Sequence, residues 1–273
     1  VVLTLYLITF VFGLVGNTLT IIVVIRYKKM HNVANFFMLN LAIADNLFVL
    51  NLPFMAHSTF SKQWVFGSLL CKIMSASYGT NLYASIFTMV LMSLDRLLAG
   101  AWPLRSMRYR TVRSAACVCA LIWVICITVM TPYWMYADTY TAPNGLLNCR
   151  IEWPAASRLT HMLFWANFEL IIGFILPIIF MVFSYGMLVR HLFHNHGIFQ
   201  NQSKTPIKRV TLMVSLVTAI FVVCWTPYHI LRYSNTKRSI HFITVAHALV
   251  FVSSCCNPVI YGISSQNFRE YSQ

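Results

Sequence analysis

Apolar residues fall in long runs along this chain rather than in strict alternation. Seven runs can be delimited, roughly residues 1–26, 34–59, 69–101, 113–135, 159–191, 207–232 and 240–262. Each is long enough to supply the roughly 20 mostly apolar residues that a helix needs to cross a bilayer. Helix is the expected form, because hydrocarbon offers no partner to an open backbone N–H or C=O. The stretch 264–271, which carries Phe268 and Arg269, is shorter and amphipathic and predicts a helix lying in the membrane interface. The pattern thus predicts an all-α membrane protein, a single seven-transmembrane helix bundle over residues 1–273 with a short amphipathic helix after the seventh span. The first run suits a spanning helix better than a cleaved signal sequence. The tails that flank the bundle are expected to lie beyond both ends of the sequence.

Composition agrees with a lipid solvent. The chain is 59% hydrophobic and 10% charged, whereas soluble domains carry about 25% charged residues. The net charge of +14 does not point to nucleic acid, because the basic residues sit between apolar runs. Anionic lipid and an intracellular partner account for them better. Of the 20 basic residues, thirteen fall in one set of connections, including Arg26, Arg96, Arg105, Arg110, Arg113, Lys208 and Arg269. The positive-inside rule puts that set in the cytoplasm and the N-terminus outside, as in a multi-pass protein of the plasma membrane. Asn201-Gln202-Ser203 matches a glycosylation acceptor but falls on the cytoplasmic side and is discounted.

Six of the eight cysteines lie well inside apolar runs, away from their ends, where they read as small apolar residues. Cys71 and Cys149 both fall on the outer side, where a disulfide can form. Between the fourth and fifth spans, Pro143-Asn144-Gly145 signals a β-hairpin in the second extracellular loop. A Cys71–Cys149 bond would hold that hairpin over the bundle, and the chain-entropy model values such a closure at about 4–5 kcal/mol.

Polar groups at membrane depth are costly and mark candidate sites. Asp45, Asn81, Ser85, Ser253 and Asn257 could hold a small hard cation, could order water, or could act as polar glue between helices. Asp95-Arg96 ends the third span and could be an ordinary helix-end pair. Pro53, Pro177 and Pro227 each predict a kink, and Cys224-Trp225-Thr226-Pro227 reads as a hinge or as a static bend. Glu169, one of six acids, could pair with a ligand cation or with Arg158 or Arg232.

In chain order stand Gly16-Asn17, Leu41-Ala42-Ile43-Ala44-Asp45, Trp64, Cys71, Asp95-Arg96, Trp123, Pro177, Tyr185, Phe221 with Cys224-Trp225-Thr226-Pro227, Asn257-Pro258-Val259-Ile260-Tyr261 and Asn267-Phe268-Arg269. Over the whole chain this set resembles the rhodopsin-like (class A) G protein-coupled receptors. Leu52-Pro53-Phe54 and 131–137 look most like the peptide receptors of the somatostatin, opioid, allatostatin-C and melanin-concentrating-hormone cluster.

The resemblance implies a role for each marked residue. Asp45, Asn81, Ser85, Ser253 and Asn257 match positions that hold a sodium ion; no other cofactor is implied. Ile86, Pro177 and Phe221 match a core triad that repacks on activation, and Trp225 matches the switch beneath the ligand. Tyr185 and Tyr261 match a pair that moves toward Arg96 as the sixth helix swings out. Arg96, with Asp95, then faces a heterotrimeric G protein, of the Gi/o class in this cluster, and Leu104 matches an apolar contact to it. Arrestin and receptor kinases are further implied partners.

Departures from the pattern carry their own expectations. Leu97 stands where a tyrosine usually follows Asp-Arg, which removes a polar contact with the second inner loop. No acid opens the sixth span, so higher basal activity is expected. Tyr78 stands where amine receptors place the aspartate that grips a ligand cation. Glu169 could substitute, or an acidic peptide group could be read by Arg232 with Tyr78, Tyr228, His229, His247 and Phe251 lining the cavity. A peptide is the expected ligand, with a non-peptide small molecule or lipid as the alternative. An opsin is excluded, because Phe251 stands where the retinal lysine would be. Transporter and enzyme readings find no internal repeat and no hydrolytic or metal spacing.

Overall fold

Proline decides where several of the apolar runs break or bend in the computed structural model of the chain, which describes residues 2–27, 30–194, 204–233 and 240–264. The first span is α1 (Val2–Arg26). The second run divides into α2 (Val33–Val49) and α3 (Leu52–Ser61), with Pro53 in the first turn of α3. Proline has no N–H to return to the preceding turn, so the helix restarts there. The third span, α4 (Gly67–Ala101), runs unbroken over 35 residues.

A single turn, α5 (Pro103–Ser106), leads to α6 (Val112–Val129), which opens on a reciprocal capping box between Thr111 and Ser114. One helix is expected over 113–135. The structure instead ends α6 at Val129 and restarts as α7 (Thr131–Tyr136), because Pro132 breaks the ladder as Pro53 does. The hairpin follows as β1 (Ala137–Thr141) and β2 (Leu147–Ile151), antiparallel with Ala137 opposite Ile151 and Thr141 opposite Leu147. Gly145 holds φ +80 in its turn, a conformation that favours glycine.

The fifth span is α8 (Arg158–Leu170), a π turn over Ile171–Ile175, and α9 (Leu176–His194). The π turn sits just before Pro177, and the wider ring lets the helix continue past the missing donor. The sixth and seventh spans are α10 (Lys204–Tyr233) and α11 (Ile240–Ser264), with Pro227 and Pro258 inside them. Among the described residues, six helical stretches are long and apolar enough to cross a membrane, and the shorter apolar stretch Val245–Ile260 lies in α11. Large apolar side chains cover the outside, such as Phe12 at 70% and Val223 at 71% exposure. Polar side chains lie inside, including Asn17, Asn40, Asp45 and Asn257. That inversion suits hydrocarbon rather than water.

Small and polar residues draw the helices together. A Cβ on Gly13 would come 2.7 Å from Cys255 Sγ, so only glycine allows α1 and α11 this close. One turn on, Asn17 Nδ2 donates to the Gly13 carbonyl at 3.0 Å and to the Ser254 carbonyl at 3.3 Å. Asn40 joins three spans: its Nδ2 donates to Thr88 Oγ1 at 2.7 Å, and its Oδ1 accepts from Trp123 Nε1 at 3.0 Å. The amphipathic stretch after 264 and the acceptor site 201–203 lie outside the described residues.

Candidate functional site

The hairpin closes one end of the bundle. Cys71, near the start of α4, and Cys149 on β2 form the disulfide. Lys72 Nζ donates to the Ala137 carbonyl at 2.8 Å, and the Ser68 hydroxyl donates to Asp138 at 2.5 Å. The Ser68 hydroxyl, the Thr139 N–H and nearby Lys72 hold the Asp138 carboxyl below its ordinary value. Trp64, in the preceding connection, donates its backbone N–H to the Leu147 carbonyl at 2.6 Å. Several independent ties therefore fix the hairpin over the helix ends.

Beneath it lies a cavity of about 500 Å³, whose walls include Tyr78, Arg150, Glu169, Tyr228, Arg232 and His247. Glu169 does not face Arg158, one of its two candidate partners. Its Oε1 accepts from the Tyr228 hydroxyl at 2.8 Å, and its Oε2 lies 3.3 Å from Arg232. Arg158 pairs instead with Glu152, at 3.5 Å. Two expected wall residues lie elsewhere. Phe251 is fully buried and stacks on Phe48 at 4.4 Å. His229 is buried against Phe174, 4.5 Å between ring centres. Both point into packing because a helix presents only one face to the cavity, and Tyr228 and His247 occupy that face.

A column of rings descends from the cavity. Tyr228 meets Trp225 edge-on at 5.8 Å, and Trp225 lies 5.6 Å from Phe221. Trp225, Phe221 and Ile86 then line a second cavity of about 20 Å³ beside Asp45. The Asp45 carboxylate accepts from Ser85 Oγ at 2.9 Å and from Asn257 Nδ2 at 2.7 Å. Such a space holds one water or one small ion. Ser253 and Ser254 line it too. Asn81 is buried but is not among its lining residues, and Pro177 is buried in α9. Among the described residues no group of three or more His, Cys, Asp or Glu side chains is placed to hold a metal ion.

At the far end Asp95 is buried and paired twice. Arg96 bonds one carboxylate oxygen, and Arg110 Nε donates to the other at 2.8 Å. Arg110 follows α5, so the loop contact that Leu97 cannot make comes from a different residue. Leu97 packs with Ala101, Met187 and Leu188 instead. Leu104 stands on α5 at 85% exposure. Tyr185 packs at the edge of the main core. The backbone of Tyr261 lies in α11, and its side chain is outside the described ones.

Sequence reasoning singled out neither Arg110 nor Ser254 as a site residue. Arg110 counted only toward loop charge, and nothing in its spacing ties it to Asp95. Ser254 adjoins Ser253, and a rotation of one residue decides which of them faces Asp45.

A helix bundle with a capped cavity at one end, a buried carboxylate at its middle and a paired Asp-Arg at the other defines a class. The family model described as 7 transmembrane receptor (rhodopsin family) matches residues 16–261. The chain belongs to that family, which is one of receptors rather than enzymes. Its relatives include somatostatin receptor type 2 of Mus musculus, 34% identical over 280 residues that cover 98% of this chain and 74% of the relative. Somatostatin receptor type 5 of Rattus norvegicus is 36% identical, with 97% and 75% covered. Somatostatin receptor type 3 of Homo sapiens is 35% identical, with 97% and 65% covered.

Proposed function

We propose that this receptor binds an extracellular peptide at the hairpin end and activates a heterotrimeric G protein of the inhibitory Gi/o class at the Asp95–Arg96 end. The observation that carries the reading is the cavity of about 500 Å³ beneath a hairpin tied down by Cys71–Cys149. Its relatives by sequence are receptors for somatostatin, a peptide. Basic residues crowd the connections near Arg96, which supports a cytoplasmic position for that end and an outer N-terminus in the plasma membrane. A cavity of this volume also suits a compact non-peptide ligand, which is the second reading.

The proposed mechanism is a two-state bundle that couples two sites. Ligand in the upper cavity presses on Tyr228 and through it on Trp225 and Phe221. Repacking of that column with Ile86 and Pro177 moves α10 and frees Arg96 from Asp95. Arg96 and Leu104 then meet the G protein, with Tyr185 and Tyr261 filling the space that α10 leaves. Asp45, Ser85 and Asn257 would hold a sodium ion in the small cavity, and its charge would favour the resting packing. Arrestin and receptor kinases would read the same opened end. The test screens a neuropeptide library beside lipid and small-molecule libraries on cells that report Gi/o activation, with Arg96→Ala as the silent control. A hit that is lost in Arg96→Ala supports the reading; a screen in which only lipids or small non-peptides act overturns it.

A further inference from the structure

Glu169 and Arg232 are unequal partners. The Glu169 side chain is 12% exposed and that of Arg232 is 35% exposed. Glu169 sits on a short stem in the wall of the cavity, one residue before the end of α8. Arg232 sits on a long stem in the last turn of α10, at the mouth. Its guanidinium lies 3.3 Å from Glu169 Oε2 and donates to the Tyr228 hydroxyl at 3.0 Å. The first of these distances is beyond the usual N–H···O range.

The asymmetry decides which ion a ligand can replace. A buried carboxylate left without a cation is costly, and Glu169 is the more buried ion of the pair. Arg232 reaches water by turning its stem outward. An incoming anion would have to lie beside the Glu169 carboxylate to reach Arg232. An incoming cation takes the place of Arg232 and leaves the carboxylate paired throughout. The same walls hold two buried polar atoms without a partner, the Tyr78 hydroxyl and His247 Nδ1. Unpaired buried polar groups on a cavity wall are expected where a ligand completes them.

We propose that Arg232 is a built-in stand-in for a basic group of the ligand. A lysine or arginine side chain of the peptide replaces it on Glu169, and the Tyr78 hydroxyl and His247 Nδ1 bond the polar groups beside that side chain. Glu169 and Arg232 together thereby set specificity for a basic ligand. The inference rests on the peptide-receptor reading for the nature of the ligand, but the cation site itself does not depend on it. Because Arg232 competes with the ligand, neutralising it raises apparent affinity rather than lowering it.

The test uses the full-length receptor in lipid nanodiscs. In the first arm, ethylguanidinium chloride and sodium propionate are titrated while thermal unfolding is followed. Arg232→Gln should gain about 2–4 °C with ethylguanidinium, and the double variant Glu169→Gln/Arg232→Gln should gain nothing. An equal gain in both, or stabilisation by propionate alone, overturns the proposal. In the second arm, matched pools of disulfide-cyclised peptides carry lysine, arginine or norleucine at one position. Activation of the wild-type receptor by a basic pool and not by the norleucine pool supports the proposal, as does a potency gain of about tenfold in Arg232→Gln. Equal activation by norleucine, or a loss of potency in Arg232→Gln, overturns it and leaves the peptide reading intact. Silence from every pool counts against the peptide reading, and the ethylguanidinium arm still decides the cation site. The pool comparison on wild-type protein needs no variant to fold.

Discussion

Asp95 holds two guanidinium groups, so removing one changes its grip on the other. Arg110 Nε lies 2.8 Å from Asp95 Oδ1, and the two side chains are 23% and 3% exposed. At that distance and an effective dielectric of about 20, the gross attraction is roughly 6 kcal/mol. The net value of a charge-assisted hydrogen bond is smaller, about 1.5–3 kcal/mol. On the proposed opening, in which Arg96 leaves Asp95, Arg110 would remain on the carboxylate and lower the cost. In Arg110→Gln that compensation is gone and Arg96 inherits the whole carboxylate. A shift of about 1–2 kcal/mol toward the resting state reduces ligand-free signalling about 5–30-fold. Asp95→Asn releases both arginines and raises ligand-free signalling. The assay is nucleotide exchange on purified Gi by receptor in nanodiscs without ligand. Unchanged or higher exchange in Arg110→Gln would refute the shared-carboxylate argument.

Three further outcomes follow from individual contacts. Asn40→Ala strips partners from Trp123 and Thr88 and should cost about 1–2 kcal/mol of stability, read as a lower unfolding temperature in detergent. If sodium occupies the small cavity, replacing it by N-methylglucamine raises ligand-free exchange in wild type and changes nothing in Asp45→Asn. The folded Asp138 carboxyl titrates below its ordinary value of 3.8, so its tie to Ser68 and Lys72 is present above that pH and lost as pH falls through the folded value. Amide protection at Thr139 should therefore hold down to about pH 4 and fall below it; loss already near pH 6 would contradict the assignment.

The seven spans were legible because hydrophobicity over some 20 residues needs no knowledge of neighbours. The hairpin was legible because Pro143-Asn144-Gly145 fixes a turn locally, and Gly145 takes the positive φ that such a turn demands. The split at Pro132 was obscured because an apolar run reads the same whether its helix is whole or restarted. The π turn at Ile171–Ile175 left no mark beyond Pro177 after it. Pairings across helices were the least legible. Glu169 had two candidate arginines and an open choice between ligand and structural partner, and only the folded bundle brings Arg232 to within 3.3 Å of it. The resemblance puts His229 and Phe251 on the cavity wall, but one residue of rotation turns a wall side chain into a core side chain.

In the proposed mechanism the cavity under the hairpin and the Asp95–Arg96 end belong to one two-state element. Linkage makes this directly measurable, since two coupled sites must alter each other's affinity by the same factor. The measurement is the affinity of an activating peptide for the receptor in nanodiscs, with and without nucleotide-free Gi. Coupling of the usual size predicts about 5–150-fold tighter binding with the G protein present, and a much smaller gain in Arg96→Ala. An affinity that the G protein leaves unchanged would contradict coupling between the two sites.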